Sequence, residues 1–422
     1  MANSNMAHLP NDCFDTPNEL MTVSEALEFL DQRVISVTEA ENIGLREACG
    51  RILMRDLVAK TNSPPHDNSA VDGYAVRYSD IPIEGEVKLK LVGRAAAGRP
   101  FSKTLQAGQT VQIFTGAPIP TGADTVAMQE YCHKENTTIC VPSALTLGDN
   151  LRLASEDIRS GDVVLRAGHR MRAQDIGLAA SAGYTELPVY SRLKVALFST
   201  GDEVAEPGTV LEPGRVYDAN RYVISALLQN LECQISDLAI LPDNRESVYE
   251  SLKACAESHH LIVTSGGISG SEEDHVAKAV NSLGHLSFWR LAVKPGKPVA
   301  FGQIGTTPFI GLPGNPVAAT LTFLRIARPI ILKLSGANNV VPHMFRVRSG
   351  FNYTKKPNRL EWIRARLTTE PDGSLVANMY ESQGSGILSS VVESDGVVEL
   401  PEELTQLNAG MMVNFLSYNE VT

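Results

Sequence analysis

The sequence predicts a multidomain α/β plus β protein, built around a doubly wound, mainly parallel α/β domain. Apolar runs such as LKVALFST, which starts at Leu193, alternate with helical stretches such as ANRYVISALLQNL, and this alternation is typical of a parallel sheet with helices on both faces. Short strand-like runs separated by Gly, Pro and Asn occupy residues 86–165 and 343–420 instead. With 422 residues, the chain is also too long for a single hydrophobic core.

The N-terminal part contains three kinds of segment. Residues 1–20 are polar and contain several Asn and Pro residues, which predicts a flexible tail. The run TVSEALEFLDQRV from Thr22 has helical periodicity, and we expect Ser24 to cap this helix. Residues 86–165, with runs such as EVKLKLV and QTVQIF, predict an all-β domain.

The α/β domain is predicted from Leu193 to about Gly336. Its strands are the apolar runs LKVALFST, QISDLAIL, HLIVTSGG, FWRLAV and PFIGL. The last helix follows GLPGNP, where Asn315 is placed to cap and Pro316 to occupy the first helical position. Residues 343–420 return to short strands and turns, which favours a small β-barrel or sandwich.

Composition and charge disfavour several classes of protein. The chain has 37 Lys and Arg against 48 Asp and Glu, and this net charge of −11 disfavours binding to nucleic acid or to anionic membranes. No stretch approaches the roughly 18 apolar residues of a membrane-spanning helix, and the N-terminus has no apolar signal segment. We therefore expect a cytoplasmic protein. The six cysteines show no CxxC spacing, which favours reduced thiols over disulfides or a zinc site.

Acidic side chains follow three predicted strands of the α/β domain. Because the carboxyl ends of parallel strands meet at one edge of the sheet, these side chains are expected to converge where such folds bind ligands. A set of oxygen ligands without paired His or Cys favours Mg²⁺ beside a phosphate. Alternatively, each acidic residue simply caps the helix that follows it. The residues are Asp202, Glu203, Asp243, Glu272, Glu273 and Asp274.

Basic and glycine-rich segments fall at the same predicted edge. Lys294 and Lys297 flank a Pro-Gly turn, and Arg290 precedes them. Cationic side chains in this position suit phosphate groups, although two lysines in a turn are also typical of a solvated surface. The runs SGG at 265–267 and GLPGNP at 311–316 allow a ligand to approach the backbone closely.

Two runs in the N-terminal half contain too many polar and turn-forming residues for a core. They are SPPHDNSAVDGYAVR at 63–77 and IFTGAPIPTGADTVAMQE at 113–130. We interpret them as functional loops with Asp72 and Thr115 as candidate polar groups, although either run alone would also suit a plain turn. The motifs GxGxxG, GxxxxGK[ST], GxSxG and HExxH are absent from the sequence, so ordinary nucleotide enzymes lose support.

Seven motifs, in this order, resemble the signature of the MoeA family of molybdopterin molybdenumtransferases. The resemblance extends over residues 21–420. The α/β domain alone would also resemble molybdopterin adenylyltransferases and competence-damage-like proteins, and the N-terminal and C-terminal parts distinguish MoeA from both. The motifs are PPHDNSAVDGYAVR, FTGAPIPTGAD, SEDIRSGD, STGDEV, TSGGIS, KPGKPVAFG and GLPGNPVAATLTF.

The resemblance implies four domains and an elongated homodimer. A discontinuous helical N-terminal domain would comprise residues 21–60 and 160–190, with a β domain inserted at 61–159. The α/β molybdopterin-binding domain would occupy 191–337, and a β-barrel-like C-terminal domain 343–420. In this family the cleft lies between the α/β domain of one subunit and the N-terminal loops of the other.

The resemblance also implies a Mg²⁺-dependent reaction. Adenylylated molybdopterin and molybdate would be the substrates. The adenylate would be cleaved from the pterin phosphate and molybdenum placed on the dithiolene, which releases AMP and finished cofactor. A molybdopterin adenylyltransferase and molybdoenzyme acceptors would be partners. Two alternatives stay open, namely a non-catalytic pterin-binding or carrier paralog and a tungsten-inserting homologue.

Functional positions carry over from the family motif by motif. The implied catalytic residues are Asp72, Thr115, Asp157, Glu203, Asp243 and Asp274. Three of these, Glu203, Asp243 and Asp274, would bind the metal. The implied substrate-binding residues are Ser265, Gly266, Gly267, Arg290, Lys294, Lys297, Pro313, Gly314, Pro316 and Ser385.

Overall fold

The structure, a computed structural model, describes residues 21–267, 274–296 and 298–422. The predicted tail, the acidic pair Glu272 and Glu273, and Lys297 lie outside the described residues. The helices and strands of the first half are α1 (Val23–Arg33), β1 (Ala40–Gly44), β2 (Leu57–Val58), β3 (Asn68–Ser69), β4 (Gly73–Val76), β5 (Glu86–Ala95), β6 (Gln109–Ile113), β7 (Thr125–Met128), β8 (His133–Glu135), β9 (Thr138–Pro142), β10 (Leu151–Arg152), β11 (Val163–Leu165), α2 (Ala173–Ser181) and β12 (Glu186–Tyr190).

The second half begins with the α/β sheet and ends in a β structure. Its elements are β13 (Lys194–Thr200), β14 (Val204–Ala205), β15 (Val216–Tyr217), α3 (Asn220–Asn230), β16 (Gln234–Leu241), α4 (Arg245–Ser258), β17 (Leu261–Ser265), α5 (His275–Leu283), β18 (Gly284–Arg290), β19 (Val293–Lys294), β20 (Pro298–Ile304), β21 (Thr307–Leu312), α6 (Pro316–Thr322), α7 (Arg328–Leu334), β22 (Phe345–Ser349), β23 (Tyr353–Thr354), β24 (Leu360–Thr369), β25 (Leu375–Met379), α8 (Ser389–Val392), β26 (Gly396–Leu400), β27 (Gln406–Leu407) and β28 (Met412–Ser417).

Helix α1 is capped by Thr22, so the prediction of Ser24 as its cap was wrong. The Thr22 hydroxyl accepts a hydrogen bond from the backbone N–H of Glu25 at 3.2 Å, and the Glu25 carboxylate accepts one from the backbone N–H of Thr22 at 2.8 Å. This reciprocal arrangement is a capping box. Ser24 lies inside the first turn, where its hydroxyl is not needed for the cap.

Segments far apart in the sequence form the N-terminal region. Strand β1 pairs antiparallel with β12, and β2 pairs antiparallel with β11. Behind these strands, Leu53, Leu57, Met171 and Leu187 form a small core against α2. The domain boundaries given above stay predictions, but the pairing shows that the chain leaves this region after β2 and returns to it at β11.

The intervening segment folds into a sheet of six strands in the order β7-β4-β6-β5-β9-β8. Strands β5 and β6 run parallel and the other pairs run antiparallel. Alternate residues supply the cores on its two sides, with Val111 and Ile113 on one side and Ile139 and Val141 on the other. Strand β8 is an edge strand of this sheet.

The α/β domain is doubly wound around a mainly parallel sheet, as predicted. The strand order is β16-β13-β17-β21-β20-β18. The first four strands are parallel to one another, and β20 runs antiparallel to both of its neighbours, β21 and β18. Val195 and Leu197 of β13 belong to the core with α3 and α6, whereas Ala196 and Phe198 belong to the core with α4 and α5. Both faces of the sheet are therefore covered by helices.

The last helix of the α/β domain contains a π turn that the sequence pattern did not predict. Pro316 occupies the start of α6 as expected, but the Asn315 side chain makes no capping hydrogen bond. A π-helical segment, Phe323–Ala327, joins α6 to α7. Within it Arg325 is buried and binds Glu399 of β26, with its Nε 3.1 Å from the carboxylate. A π turn adds one residue to a helical turn, so it changes which residues of the following helix, α7, face the core.

Five C-terminal strands close into a small barrel. Strand β24 pairs with β25 on one side and with β26 on the other, and β22 and β28 complete the ring. The barrel core includes Ile363, Val398 and Phe415. This confirms the β-barrel prediction. None of the helices in the described part of the chain is long and apolar enough to cross a membrane.

We expect Asp175 to control the pH dependence of helix α2. Asp175 is 4% exposed and accepts hydrogen bonds from the backbone N–H of Arg172 at 2.8 Å and from the His169 ring at 2.8 Å. Burial raises the pKa of its carboxyl, but the hydrogen bonds from Arg172 and His169 outweigh burial and lower the pKa well below its usual range. Asp175→Asn should therefore destabilise α2 by roughly 1–3 kcal/mol at neutral pH.

Hydrogen–deuterium exchange of the α2 amides measures this effect. A lowered pKa stabilises the folded state above the ordinary Asp value of about 3.9, and the contribution is lost as the pH falls through the folded-state pKa. The difference in protection between wild type and Asp175→Asn should shrink below about pH 4. The exposed Asp162, in the turn before β11, offers a control, and equal exchange in Asp162→Asn and Asp175→Asn would contradict this account.

Candidate functional site

The strand order creates a crevice beyond the carboxyl ends of β13 and β17. The connection from β13 leads through α3 to β16 on one side, whereas β17 lies on the other side of β13. Helix α3 packs on one face of the sheet and α5 on the opposite face. Ligands of open α/β sheets bind at such a switch point. Most of the site residues predicted in this domain lie on the loops around it.

A side-chain hydrogen bond joins the loops that follow β13 and β16. The Thr200 hydroxyl donates to Asp243 Oδ1 at 3.3 Å. The helix after β16 is capped by Asn244, whose side chain accepts from the backbone N–H of Ser247 at 2.9 Å. Asp243 is therefore not used as the cap. Among the described residues, no hydrogen bond uses its second carboxylate oxygen, so that oxygen can bind a ligand.

The exposed Glu203 carboxylate lies over Gly201 in the loop after β13. Gly201 has a φ of +136°, and a Cβ atom at this position would lie 2.7 Å from Glu203 Oε2. The positive φ favours glycine here, whereas the exposed Glu203 side chain could move away from a Cβ atom. The Glu203 carbonyl accepts from the backbone N–H of Val216 at 2.8 Å, which holds the loop against β15.

Asp274 caps helix α5, as the alternative interpretation of the acidic loops predicts. Its Oδ1 accepts from the backbone N–H of Ala277 at 2.9 Å, and the residue is 4% exposed. The carboxylate oxygens of Glu203, Asp243 and Asp274 are not all within 4.8 Å of one another, so these described residues form no preassembled three-carboxylate cage. The two remaining carboxylates and the Thr200 hydroxyl still form an all-oxygen set that suits Mg²⁺, which commonly keeps several waters and binds one or two carboxylates.

The glycines after β17 allow the backbone to pass close to β13. Gly266 and Gly267 have φ values of +88° and +64°. A Cβ atom at Gly266 would lie 2.8 Å from the Thr200 carbonyl oxygen, and one at Gly267 would lie 2.6 Å from Thr200 Cγ2. Side chains at these two positions would therefore displace Thr200, the residue that binds Asp243.

Asn220 joins three loops of the site and was missed in the sequence analysis. Its side-chain N–H₂ donates to Ser265 Oγ at 2.8 Å and to the Gly314 carbonyl at 2.7 Å. Ser265, which is 4% exposed, in turn donates to the Pro313 carbonyl at 3.2 Å. A polar residue directly at the start of a predicted helix was the available signal, but the sequence does not show its partners.

The C-terminal barrel reaches the same loops through Ser385. The Ser385 carbonyl accepts from the backbone N–H of Val317 at 3.0 Å, next to Pro316 at the start of α6. The loop that carries Ser385 is held by Arg364, which is 1% exposed and donates to Ser390 Oγ and to the Gly384 carbonyl, each at 3.0 Å. The structure thus brings Pro313, Gly314, Pro316 and Ser385 together.

Lys294 pairs with a buried carboxylate of the barrel. Its Nζ lies 3.7 Å from Glu361 Oε2, and Glu361, which is 1% exposed, also pairs with Arg359 at 2.6 Å. Strand β19 runs parallel to β24 and places the lysine there. Because the single negative charge of Glu361 is shared between Lys294 and Arg359, the half-exposed Lys294 ammonium can still attract an anion. Arg290 lies at the end of β18, opposite Pro298.

Asp72, Thr115 and Asp157 lie in the other half of the chain, where hydrogen bonds join the first two. Asp72 Oδ1 accepts from the backbone N–H of Thr115 at 2.8 Å and from its hydroxyl at 2.7 Å, and these bonds lower the pKa of Asp72. The backbone N–H of Asp157 donates to the Ser63 carbonyl at 3.1 Å. No hydrogen bond or ion pair of the described residues links these three to the acidic edge of the same chain.

Family models match the chain in three consecutive parts. The MoeA N-terminal region (domain I and II) matches residues 21–183. A probable molybdopterin binding domain matches residues 196–333, and the MoeA C-terminal region (domain IV) matches residues 346–418.

Curated relatives and a solved structure match over most of their length. A molybdopterin molybdenumtransferase of Haemophilus influenzae is 36% identical over 404 residues, which cover 95% of this chain and all of that protein. A molybdopterin molybdenumtransferase of Nostoc sp. is 33% identical and covers 89% of this chain and 88% of that protein. The crystal structure of a molybdopterin biosynthesis moeA protein from Pyrococcus horikoshii superposes with a TM-score of 0.81 at 27% identity, covering 95% of this chain and 100% of that one.

The three matches follow one another along the chain and include the N-terminal loops, the acidic edge of the parallel sheet and the C-terminal barrel. Because these family models match most of the chain, and because 95% of the chain aligns at 36% identity with the Haemophilus influenzae protein, the chain belongs to the MoeA family of molybdopterin molybdenumtransferases.

Proposed function

We propose that this chain inserts molybdenum from molybdate into adenylylated molybdopterin and releases AMP and molybdenum cofactor. The observation that carries the proposal is the edge of the parallel sheet, where the carboxylates of Glu203 and Asp243 lie on loops next to the Gly266–Gly267 turn. The curated relatives named molybdopterin molybdenumtransferase support the substrate class. Acidic groups beside a phosphate-binding loop suit phosphate chemistry with a metal better than binding alone.

Within this proposal, Glu203 and Asp243 are the residues that would hold Mg²⁺. When bound, the ion would supply positive charge to neutralise the pyrophosphate and polarise its phosphorus. Thr200 orients Asp243 through its hydroxyl, and Gly201 leaves room for the Glu203 carboxylate. Asp274 contributes chiefly by fixing the start of α5.

Cation and backbone groups of the same edge bind the anionic substrate. Lys294 presents a half-exposed ammonium next to the barrel, which attracts phosphate or molybdate oxygens. The loop 313–316 is kept in position by Asn220 from α3 and by Ser385 from the barrel. These groups are fixed before substrate arrives, which favours stabilisation of charge that develops during the reaction. No covalent protein nucleophile is required.

We also propose that a homodimer completes the site. Asp72 and Thr115 are bonded to each other, away from the acidic edge of their own chain. In a two-fold dimer the same contact occurs twice, so loops from each subunit can complete the site of the other. A molybdopterin adenylyltransferase supplies the substrate, molybdoenzymes accept the product, and the cytoplasm is the proposed location.

The decisive measurement is AMP release and molybdenum incorporation by the purified protein. The reaction contains adenylylated molybdopterin, Mg²⁺ and molybdate, with tungstate in a parallel reaction. Molybdate-dependent AMP release supports the transferase. Release with tungstate alone supports a tungsten-inserting enzyme, and binding of the pterin without release in either reaction supports a carrier.

Asp243→Asn should reduce AMP release on the order of 100-fold, because it removes a negative ligand oxygen from the metal and phosphate site. The thermal unfolding curve should stay close to that of wild type, because Asn244 and not Asp243 caps α4. Exposed Glu246, in the first turn of α4, provides the matched control. AMP release by Asp243→Asn at the level of Glu246→Gln would remove Asp243 from the site.

Asn220→Ala should raise KM for adenylylated molybdopterin more than it lowers kcat. The change removes two hydrogen bonds that hold Ser265 and Gly314, so the binding loops lose their fixed arrangement while the carboxylates stay in place. A loss of about 1–2 kcal/mol in binding corresponds to an increase in KM of about tenfold. Steady-state kinetics decide the question, and a pure kcat effect would speak against this role.

Mixed dimers test the shared site. Asp72→Asn and Asp243→Asn subunits should each be inactive as homodimers. In their heterodimer, one site would carry both changes and the other none. Random mixing makes about half of the dimers heterodimers with one intact site of two, so activity should recover to about one quarter of wild type. If the mixture stays inactive after subunit exchange has been verified by mass spectrometry, each site belongs to a single chain.

A further inference from the structure

Cys140 lies at the centre of one face of the sheet formed by β5, β9 and β8. It stands directly opposite Lys88 of β5 and His133 of β8 in the strand register. Residues two positions apart on a strand point to the same face, so Glu86 and Glu135 belong to the same group. These four side chains surround the thiol of Cys140, which is only 1% exposed.

Three of these side chains offer metal ligands of different chemistry. The Glu86 carboxylate, the His133 imidazole and the Cys140 thiol each place one ligand atom within 4.8 Å of the others. His133 Nε2 and Glu86 Oε2 are 3.7 Å apart. Ligand atoms around tetrahedral zinc, with bonds of about 2.0–2.3 Å, are about 3.4–3.8 Å apart. One pair already has a separation in that range, and the other two need to close by about 1.4 Å at most.

We propose that Glu86, His133 and Cys140 form a Zn²⁺ site, with water in the fourth position. Thiolate and imidazole ligands select zinc over Mg²⁺ or Ca²⁺, which prefer oxygen. The thiol proton passes to solvent as the sulfur–zinc bond forms, and the thiolate and carboxylate then balance the two charges of the ion. The site is distinct from the acidic edge of the parallel sheet, since it lies in another sheet and contains none of its residues.

Bound zinc connects the edge strand β8 to the interior strand β5 across β9. The β8–β9 hairpin otherwise depends on the hydrogen bonds of three paired residues, His133–Glu135 with Thr138–Cys140. An ion that fixes one ligand from each of three strands resists opening of this edge. The role we assign to the metal is therefore stabilisation of this sheet.

Lys88 opposes metal binding in the arrangement described. Its Nζ is 2.8 Å from Glu135 Oε2, and it lies beside Cys140, where its positive charge repels a cation. The metal also has to displace the proton of the buried Cys140 thiol. Removal of the Lys88 charge should therefore strengthen metal binding, whereas loss of a ligand should weaken it. The proposal can thus be tested in both directions.

The test is a Co²⁺ titration of the full-length protein after treatment with a chelator, followed by competition with Zn²⁺. Wild type and Cys49→Ser, a control that removes an exposed cysteine outside the cluster, should show thiolate-to-cobalt charge-transfer absorption at one equivalent, and Zn²⁺ should abolish it. Cys140→Ser should lose the band. His133→Ala and Glu86→Gln should weaken Co²⁺ binding about tenfold or more, whereas Lys88→Gln should tighten it.

Thermal unfolding with and without Zn²⁺ provides a second readout. Zn²⁺ should raise the Tm of wild type and of Cys49→Ser but not that of Cys140→Ser, since binding to the folded state alone stabilises it. The proposal is overturned if wild type shows no thiolate band, or if the band persists in Cys140→Ser. Equal Co²⁺ affinity in wild type, His133→Ala and Glu86→Gln would overturn it as well.

Discussion

The burial of β13 on both faces determines where the chemistry of this protein can occur. Val195 and Leu197 fill one core of the α/β domain, and Ala196 and Phe198 fill the other. Each of these side chains is fully buried, so the middle of the strand offers no functional group to solvent. The polar groups of the site consequently begin at Thr200 and continue on the loops of neighbouring strands. The position of the site follows from packing before any specific chemistry is considered.

Contacts between the barrel and the α/β domain hold the second half of the molecule together. Arg325 of the π turn and Trp362 of β24 both bind the carboxylate of Glu399. The Ser385 carbonyl receives the N–H of Val317 at the start of α6. These are polar contacts with little or no exposure, and removing one partner from such a contact costs more than the contact itself contributes. The barrel therefore carries Ser385 and, through the Ser385 carbonyl, also holds the start of α6 in position.

The periodicity of the sequence predicts the classes of domain because burial alone controls that pattern. Continuous apolar runs gave the parallel strands, and short alternating runs gave the β-sheet and the barrel. Predictions of local detail failed where two residues close in the sequence had similar capping chemistry, as with Thr22 and Ser24, or where one extra residue produced a π turn. The spacing of Thr22 and Glu25 was a sequence signal for the correct cap, whereas the hydrophobic pattern gave no signal of the π turn.

Pairs of residues that meet only in the folded chain were beyond prediction from spacing. Lys294 was expected to face an anion, and its proximity to Glu361 depends on the pairing of β19 with β24. Cys140 was expected to be an ordinary reduced thiol, and its proximity to His133 and Glu86 depends on the register of three strands. The resemblance of the motifs identified candidate residues at the sheet edge. The hydrogen bonds of Asn220 could be identified only from the folded structure.

The paired strands β2 and β11 have a consequence for how this chain tolerates change. Val58 lies opposite Val163, and the antiparallel contact continues to Ser63 and Ile158, so both ends of the intervening segment leave the N-terminal region side by side. A segment whose ends are adjacent can be lengthened, shortened or exchanged without moving the rest of the chain. Changes of length in the loops of the six-stranded sheet that lie away from Asp72 and Thr115 can thus be accommodated while the α/β scaffold stays in place.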